Sequence, residues 1–257
     1  MSKVNFIKRT LALGNHIPGF DSLLRFLFRR EHKALRCEFA GISFPHPLGI
    51  RHGYARNGEI AQMLTAIGFS YIGIDVYDYD ALKAIRMISS RNQGTIINAC
   101  LATAIEGKTE SEMQEQVIRS FSLIYDFVDL VTIEVATDIF DIVDEVLSQR
   151  LCYEKHVPIL VRIPDHQSDN IHNILDFCLI SGIDGIVAPG VSMVRSVIEY
   201  TKGRIPVIGS GDFTDPEEAA DMLRSGAVLL ECGKGFESFG YKTPEKILRA
   251  LGKASKI

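Results

Sequence analysis

The sequence predicts an α/β fold, a (β/α)8 TIM barrel with a short N-terminal helical arm and a small β-hairpin at the barrel bottom. Two patterns carry that expectation. From about residue 45, short apolar runs alternate with longer segments of helical periodicity, and there are eight such runs. The runs are rich in Ile, Val and Leu and do not alternate with polar residues, as strands covered on both faces should not. A length of 257 residues suits one barrel. A doubly wound open sheet is the competing architecture, and the lack of a GxGxxG in the first strand-to-helix turn weighs against it.

The chain reads as an arm over residues 1–36 followed by a barrel over 37–257. The arm holds eight basic residues against two acidic ones, and the rest of the chain carries a net −10. One amphipathic segment spans about residues 3–13, with Phe6, Ile7, Leu11 and Leu13. Gly14 and Pro18 break the chain. A second segment is expected to take Asp21-Ser22 as its cap and to run from Leu23 to Arg30. Such an arm either packs its apolar face on the barrel or lies on a membrane surface. Arg36–Phe44 reads as a hairpin that plugs the N-terminal mouth of the barrel.

The candidate strands are Pro47–Ile50, Tyr71–Val76, Thr95–Ala99, Leu130–Val135, Pro158–Ile163, Gly185–Ala188, Pro206–Ile208 and Ala227–Glu231. Helices are expected over Asn57–Gly68, Glu110–Phe127, Ile139–Leu151, Ser168–Ser181, Val191–Lys202, Asp215–Ser225 and Thr243–Gly252. Thr214-Asp215-Pro216-Glu217 is a helix start, a capping residue with Pro in the first turn, and Thr243-Pro244-Glu245 is another. Gly68, Gly182 and Gly226 close helices before the next strand.

Composition excludes several classes. A formal charge of −4 argues against a nucleic-acid-binding surface. No apolar stretch is long enough to span a bilayer, and no secretory signal is present. The five cysteines are scattered without a CxxC, so no metal site is expected and a reducing, cytoplasmic setting is. Peripheral contact with the inner face of the membrane through residues 1–36 is compatible with that setting. The expected partner is a small-molecule substrate, and the oligomeric state stays open.

In such a barrel the strands' C-terminal ends converge on the functional site. The most specific signal lies in the last two loops. Gly209-Ser210-Gly211 and Gly233-Lys234-Gly235 let backbone N–H groups approach a phosphate, and Lys234 adds a charge. Asp212 in the same loop would repel that phosphate, and tight turns alone would also account for the glycines. Arg162 and Glu134 are expected in the mouth on neighbouring strands. They are either a cation for a flavin or oxyanion, held by a carboxylate, or a buried ion pair. Asn98 inside an apolar strand needs a partner from protein or ligand. His52 and His166 sit in loops, where a histidine is more often a surface residue. Cys100 ends a strand with nothing beside it to lower its pKa, which argues against a nucleophile.

The run Phe44-Pro45-His46-Pro47-Leu48-Gly49-Ile50, then Gly53-Tyr54-Ala55-Arg56-Asn57-Gly58-Glu59, then Ile67-Gly68-Phe69, resembles the dihydroorotate dehydrogenase family in its membrane-associated, quinone-linked class. His156–Ile163, Ile183–Ala188, Ile205–Gly211, Ser225–Leu230 and Gly235-Phe236 continue the likeness in order. That class also carries a basic helical arm. The resemblance implies FMN as cofactor, held by Asn98, Arg162, Gly209, Gly211, Gly233, Lys234 and Gly235. It places Arg56 at a substrate-binding position and Thr137 at the position of the catalytic serine.

Departures from the family pattern fall at these same positions. Arg56 and Arg162 stand for lysines, Asp75-Val76 for Gly-Thr, and Glu134 for an asparagine. Pro189-Gly190 stands for Thr-Asn, Gly211-Asp212 for Gly-Gly, and Gly233-Lys234 for Tyr followed by Ser or Thr. Arginine for lysine is not a neutral exchange, because the guanidinium is bulkier and planar. The family's insertions after the second and sixth strands are short or missing, and the first normally supplies asparagines that grip orotate. The sequence therefore leaves three classes open. They are an FMN-dependent oxidoreductase with reduced activity or a changed substrate, a non-catalytic binding or partner paralogue, and a phosphate-binding lyase or isomerase. For the last, Glu134, Asp165 and His166 are the candidate acid–base groups.

Overall fold

The computed structural model describes residues 13–14, 17, 19–28, 32–55, 58–76, 79–91, 94–101, 109–134, 140–165 and 171–254. An antiparallel hairpin of β1 (Cys37–Phe39) and β2 (Ile42–Phe44) precedes the barrel. The barrel strands are β3 (Leu48–Ile50), β4 (Tyr71–Val76), β5 (Ile96–Leu101), β6 (Leu130–Glu134), β7 (Ile159–Arg162), β8 (Gly185–Pro189), β9 (Val207–Gly211) and β10 (Leu229–Cys232). They close in the order β10-β3-β4-β5-β6-β7-β8-β9, all parallel. Around them run α2 (Gly58–Ala66), α3 (Tyr79–Arg91), α4 (Glu110–Ile124), α5 (Phe140–Arg150), α6 (Ile171–Ser181), α7 (Gly190–Thr201), α8 (Pro216–Arg224), α9 (Gly235–Phe239) and α10 (Thr243–Ala254), after an arm helix α1 (Phe20–Phe28).

Local chemistry sets the helix ends. Asp215 caps α8, its carboxylate accepting the Glu217 N–H with Pro216 in the first turn. Thr109 and Glu112 form a capping box on α4. Two expectations need correction. Helix α1 starts at Phe20, with the Leu23 N–H bonded to the Gly19 carbonyl, so positions 21 and 22 lie inside its first turn and not at its cap. Helix α3 has no counterpart among the expected helices, because its buried side is half alanine, Ala81 and Ala84 beside Ile85 and Ile88, which blurs the apolar stripe.

The core has two parts. The larger one lies between strands and helices and takes in Leu24 of α1 and Leu35. The smaller one fills the bottom of the barrel. Tyr71, Leu130, Leu160, Val187, Ile208 and Leu229 meet there around Phe39 and Phe44 of the hairpin. Phe44 packs edge-on to Tyr71 at 5.7 Å, and Gly185 is side-chain-free because a Cβ would sit 2.6 Å from the Phe39 ring. The hairpin therefore plugs the N-terminal mouth, as its sequence suggests.

This plug fixes which residues face the lumen. Side chains alternate along a strand. The residues two steps beyond the plug layer, Gly73, Thr132, Arg162, Pro189, Ser210 and Glu231, share its face, and Asp75 and Glu134 follow above. The lumen thus changes from apolar to polar and charged within one turn of side chains. Replacing Phe44 with Ala should cost about 3–5 kcal/mol, read as a lower urea midpoint with the unfolding slope unchanged.

Candidate active site

Arg162 is 2% exposed, and its Nη2 donates to Glu231 Oε2 at 2.6 Å. Asn98 Nδ2 reaches Glu231 Oε1 at 3.5 Å, and the Thr132 hydroxyl donates to Asn98 Oδ1 at 2.9 Å. Four strands, β5, β6, β7 and β10, thus converge on one buried carboxylate. Burial opposes the charge on Arg162, but the Glu231 carboxylate outweighs it and raises the guanidinium pKa above its ordinary value. Glu134 stands in register beside Arg162 on the neighbouring strand and acts in the same direction. The ion pair read from the sequence exists, with Glu231 rather than Glu134 as the bonded partner. Arg162 Nε and, on β9, Ser210 Oγ are buried without a hydrogen-bond partner among the described residues.

Above this network the mouth is crossed by further pairs. His52 Nδ1 lies 2.5 Å from Asp75 Oδ1. The contact depends on Gly73, where a Cβ would fall 2.6 Å from the His52 backbone nitrogen. The loop after β3 can therefore lie directly over the lumen face of β4. His52 is largely buried, not the surface residue its loop position suggests, because Asp75 draws it inward. Its Nε2 is buried and has no partner among the described residues. Arg51 pairs with Asp165 at 3.0 Å. Strands β3 and β7 stand opposite each other in the barrel order, so this pair spans the opening. Asp165 is half exposed, and an exposed ion pair of this kind is worth about 0–1 kcal/mol, so the strap opens easily.

The last two loops bind an anion, but one from the chain itself. The Asp212 carboxylate accepts the Lys234 N–H at 3.3 Å and pairs with Lys234 Nζ at 3.0 Å. Partial burial works against ionisation of Asp212, yet the Lys234 contacts hold its carboxyl below the usual range. The N–H groups of Gly233 and Gly235 donate to the carbonyls of Gly211 and Asp212. A Cβ on Gly235 would lie 2.6 Å from the carbonyl oxygens of Asp212 and Phe213, and one on Gly233 would lie 2.7 Å from Asp212 Oδ1. Gly211 likewise backs onto the Phe213 ring. Gly209 faces Met222 of α8, where a Cβ would lie 2.3 Å from the side chain, so its lack of a side chain serves helix packing.

Cys100 is buried, and burial drives its thiol well above the usual value, in keeping with an inert cysteine. Arg56, Thr137 and His166 lie outside the described residues. Among the described residues, no group of three or more His, Cys, Asp or Glu could hold a metal ion.

The family model for dihydroorotate dehydrogenase matches residues 61–254. The chain belongs to this family. A dihydroorotate dehydrogenase (quinone) of Legionella pneumophila is 23% identical, the match covering 93% of this chain and 91% of the relative. That alignment runs to 313 positions, more than the chain has residues, so the relative carries segments absent here. Among solved structures, an Eimeria tenella dihydroorotate dehydrogenase in complex with ferulenol superposes with a TM-score of 0.77 at 13% identity, over 90% of this chain and 89% of that one. A mandelate oxidase variant with a monooxide FMN adduct gives a TM-score of 0.61 at 11% identity, over 86% and 76% of the two chains. The (β/α)8 architecture is common to all of them.

The buried Arg162–Glu231 pair can be tested directly. Arg162→Met alone should destabilise by about 3–5 kcal/mol, because Glu231 is left charged and unpaired. Arg162→Met combined with Glu231→Gln should recover most of that loss, since the amide keeps its bond to Asn98. Urea unfolding of the two variants checks both statements.

Proposed function

We propose that the chain is a dihydroorotate dehydrogenase-like oxidoreductase that acts on a small molecule with an altered substrate grip. The observation that carries this reading is the polar lumen of a family barrel, with Asn98 and Arg162 beneath the mouth and two buried donor groups left uncommitted. The donor chemistry suits FMN at both ends. Arg162 Nε and Ser210 Oγ match the polar edge of a flavin ring. At the Gly233-Lys234-Gly235 turn, the Asp212 carboxylate stands in for a phosphate. FMN, when bound, would supply the hydride acceptor. Asn98 and Arg162 would hold its ring and Lys234 its phosphate, after Asp212 gives way. The segments that relatives carry and this chain lacks support a changed substrate.

Two of the same observations favour a second reading, a family barrel kept for binding without flavin. Glu231 neutralises Arg162, and Asp212 neutralises Lys234, so both cations that a flavin would meet are already paired. One titration separates the readings. The oxidoreductase reading expects flavin bands in the visible spectrum, or saturable binding of FMN added to the purified protein. A colourless protein that ignores added FMN would leave the binding reading.

We also propose that residues 1–36 form a cytoplasmic-side, peripheral membrane contact, an arm that precedes the barrel of 37–257. Support comes from α1. Leu24 is buried and Phe28 packs 5.5 Å from the Tyr241 ring, whereas Leu23, Phe26 and Leu27 are exposed together on the other side. Among the described residues no helix is long and apolar enough to cross a membrane. The full chain should co-float with vesicles rich in anionic lipid, and Phe26→Glu with Leu27→Glu should abolish most of that binding. Equal flotation of parent and variant would contradict the assignment.

A further inference from the structure

A cavity of about 360 Å³ lies between the arm and the barrel floor. Its His46 precedes β3 and its Ser70 precedes β4, so it sits at the N-terminal ends of the strands, opposite the mouth. Its size falls in the range of small-molecule sites, ~300–1,000 Å³. Arg25 of α1, His32, Arg36 and the buried His46 line it, and among the described residues no Asp or Glu does. This reverses the pattern of the mouth, where Arg51, Arg162 and Lys234 each face a carboxylate. The hydroxyl protons are committed elsewhere. Thr65 donates to the Ala61 carbonyl at 3.2 Å and Ser70 to the Leu48 carbonyl at 2.8 Å. His46 Nδ1 accepts the Leu48 N–H at 3.3 Å, which puts the proton of a neutral ring on Nε2. The walls thus offer nitrogen donors and positive charge, a chemistry that suits an anion and not a neutral polyol or a cation.

We infer that this cavity binds a phosphate ester, with Arg25 and Arg36 as the recognising groups. A guanidinium binds phosphate oxygens through paired N–H donors. A tetrahedral anion has oxygens enough for two such forks, where a carboxylate serves one. The two arginines come from separate segments, α1 and the residue just before β1, so a phosphate held by both also ties the arm to the barrel floor. Two sources share this chemistry, the headgroup of an anionic phospholipid and a soluble phosphate monoester. The placement favours the headgroup, because α1 exposes Leu23, Phe26 and Leu27 on the same turns that carry Arg25. The site is separate from the Lys234 turn and depends neither on flavin nor on the oxidoreductase reading.

Titration calorimetry of the full chain tests this with two soluble anionic probes, glycerol phosphate and dihexanoylphosphatidylglycerol below its micelle concentration. Dihexanoylphosphatidylcholine, with the same chains and a cationic group beside its phosphate, is the control. At least one anionic probe should bind saturably. Arg25→Gln with Arg36→Gln should weaken that binding about tenfold or more, the scale of a lost hydrogen bond between charged groups. Neither arginine is buried, so the double variant should fold, and its melting temperature checks that it does. Lys234→Gln should bind the probe as the parent does, because its turn lies at the other end of the barrel. Tighter binding of phosphatidylglycerol than of glycerol phosphate assigns the headgroup, and the reverse order assigns the soluble ester. No saturable binding of either anionic probe overturns the inference. So does phosphatidylcholine binding as tight as that of the anionic probes, and so does probe binding that persists unchanged in the double arginine variant.

Discussion

The buried Arg162–Glu231 pair is the constraint on which the mouth of this barrel depends. Removing two charges from water costs several kcal/mol per ion, and only a close contact with further hydrogen bonds offsets it. The 2.6 Å contact and the Asn98–Thr132 chain supply those bonds. Because the four residues come from four strands, the pair also ties the registers of the barrel's two halves. The apolar plug beneath it excludes water and strengthens the attraction.

The same rule extends upward. Among the described residues, Arg51 with Asp165 and Lys234 with Asp212 repeat the pairing of a cation with the chain's own carboxylate, and His52 lies against Asp75 in the same way. A family mouth that meets an anionic cofactor would leave cations open. Here Arg162, Arg51 and Lys234 each carry an internal carboxylate that an anionic ligand would have to displace. Displacement is easy at the rim, where the Arg51 and Lys234 pairs are partly exposed, and hard at Arg162.

The fold was legible because both faces of every barrel strand are covered, which leaves runs such as Tyr71–Val76 almost free of polar residues. The polar exceptions, Asp75, Asn98, Arg162 and Ser210, marked the lumen face, but Glu231 read only as the end of an apolar strand. Its partner lies 69 residues away, and no local pattern joins them. The His52–Asp75 contact was hidden for the same reason, with Gly73 as the one local sign that a loop must approach the strand. The anion-binding character of the last loops was legible from their glycines. That Asp212 serves as the anion follows only from its geometry against Lys234.

A crystal structure of the full chain grown with orotate tests the account most directly. It predicts the Arg51–Asp165 pair parted around the ligand and Arg162 still within about 3 Å of the Glu231 carboxylate. Orotate bound elsewhere with the Arg51–Asp165 pair closed, or Arg162 drawn away from Glu231, would contradict it.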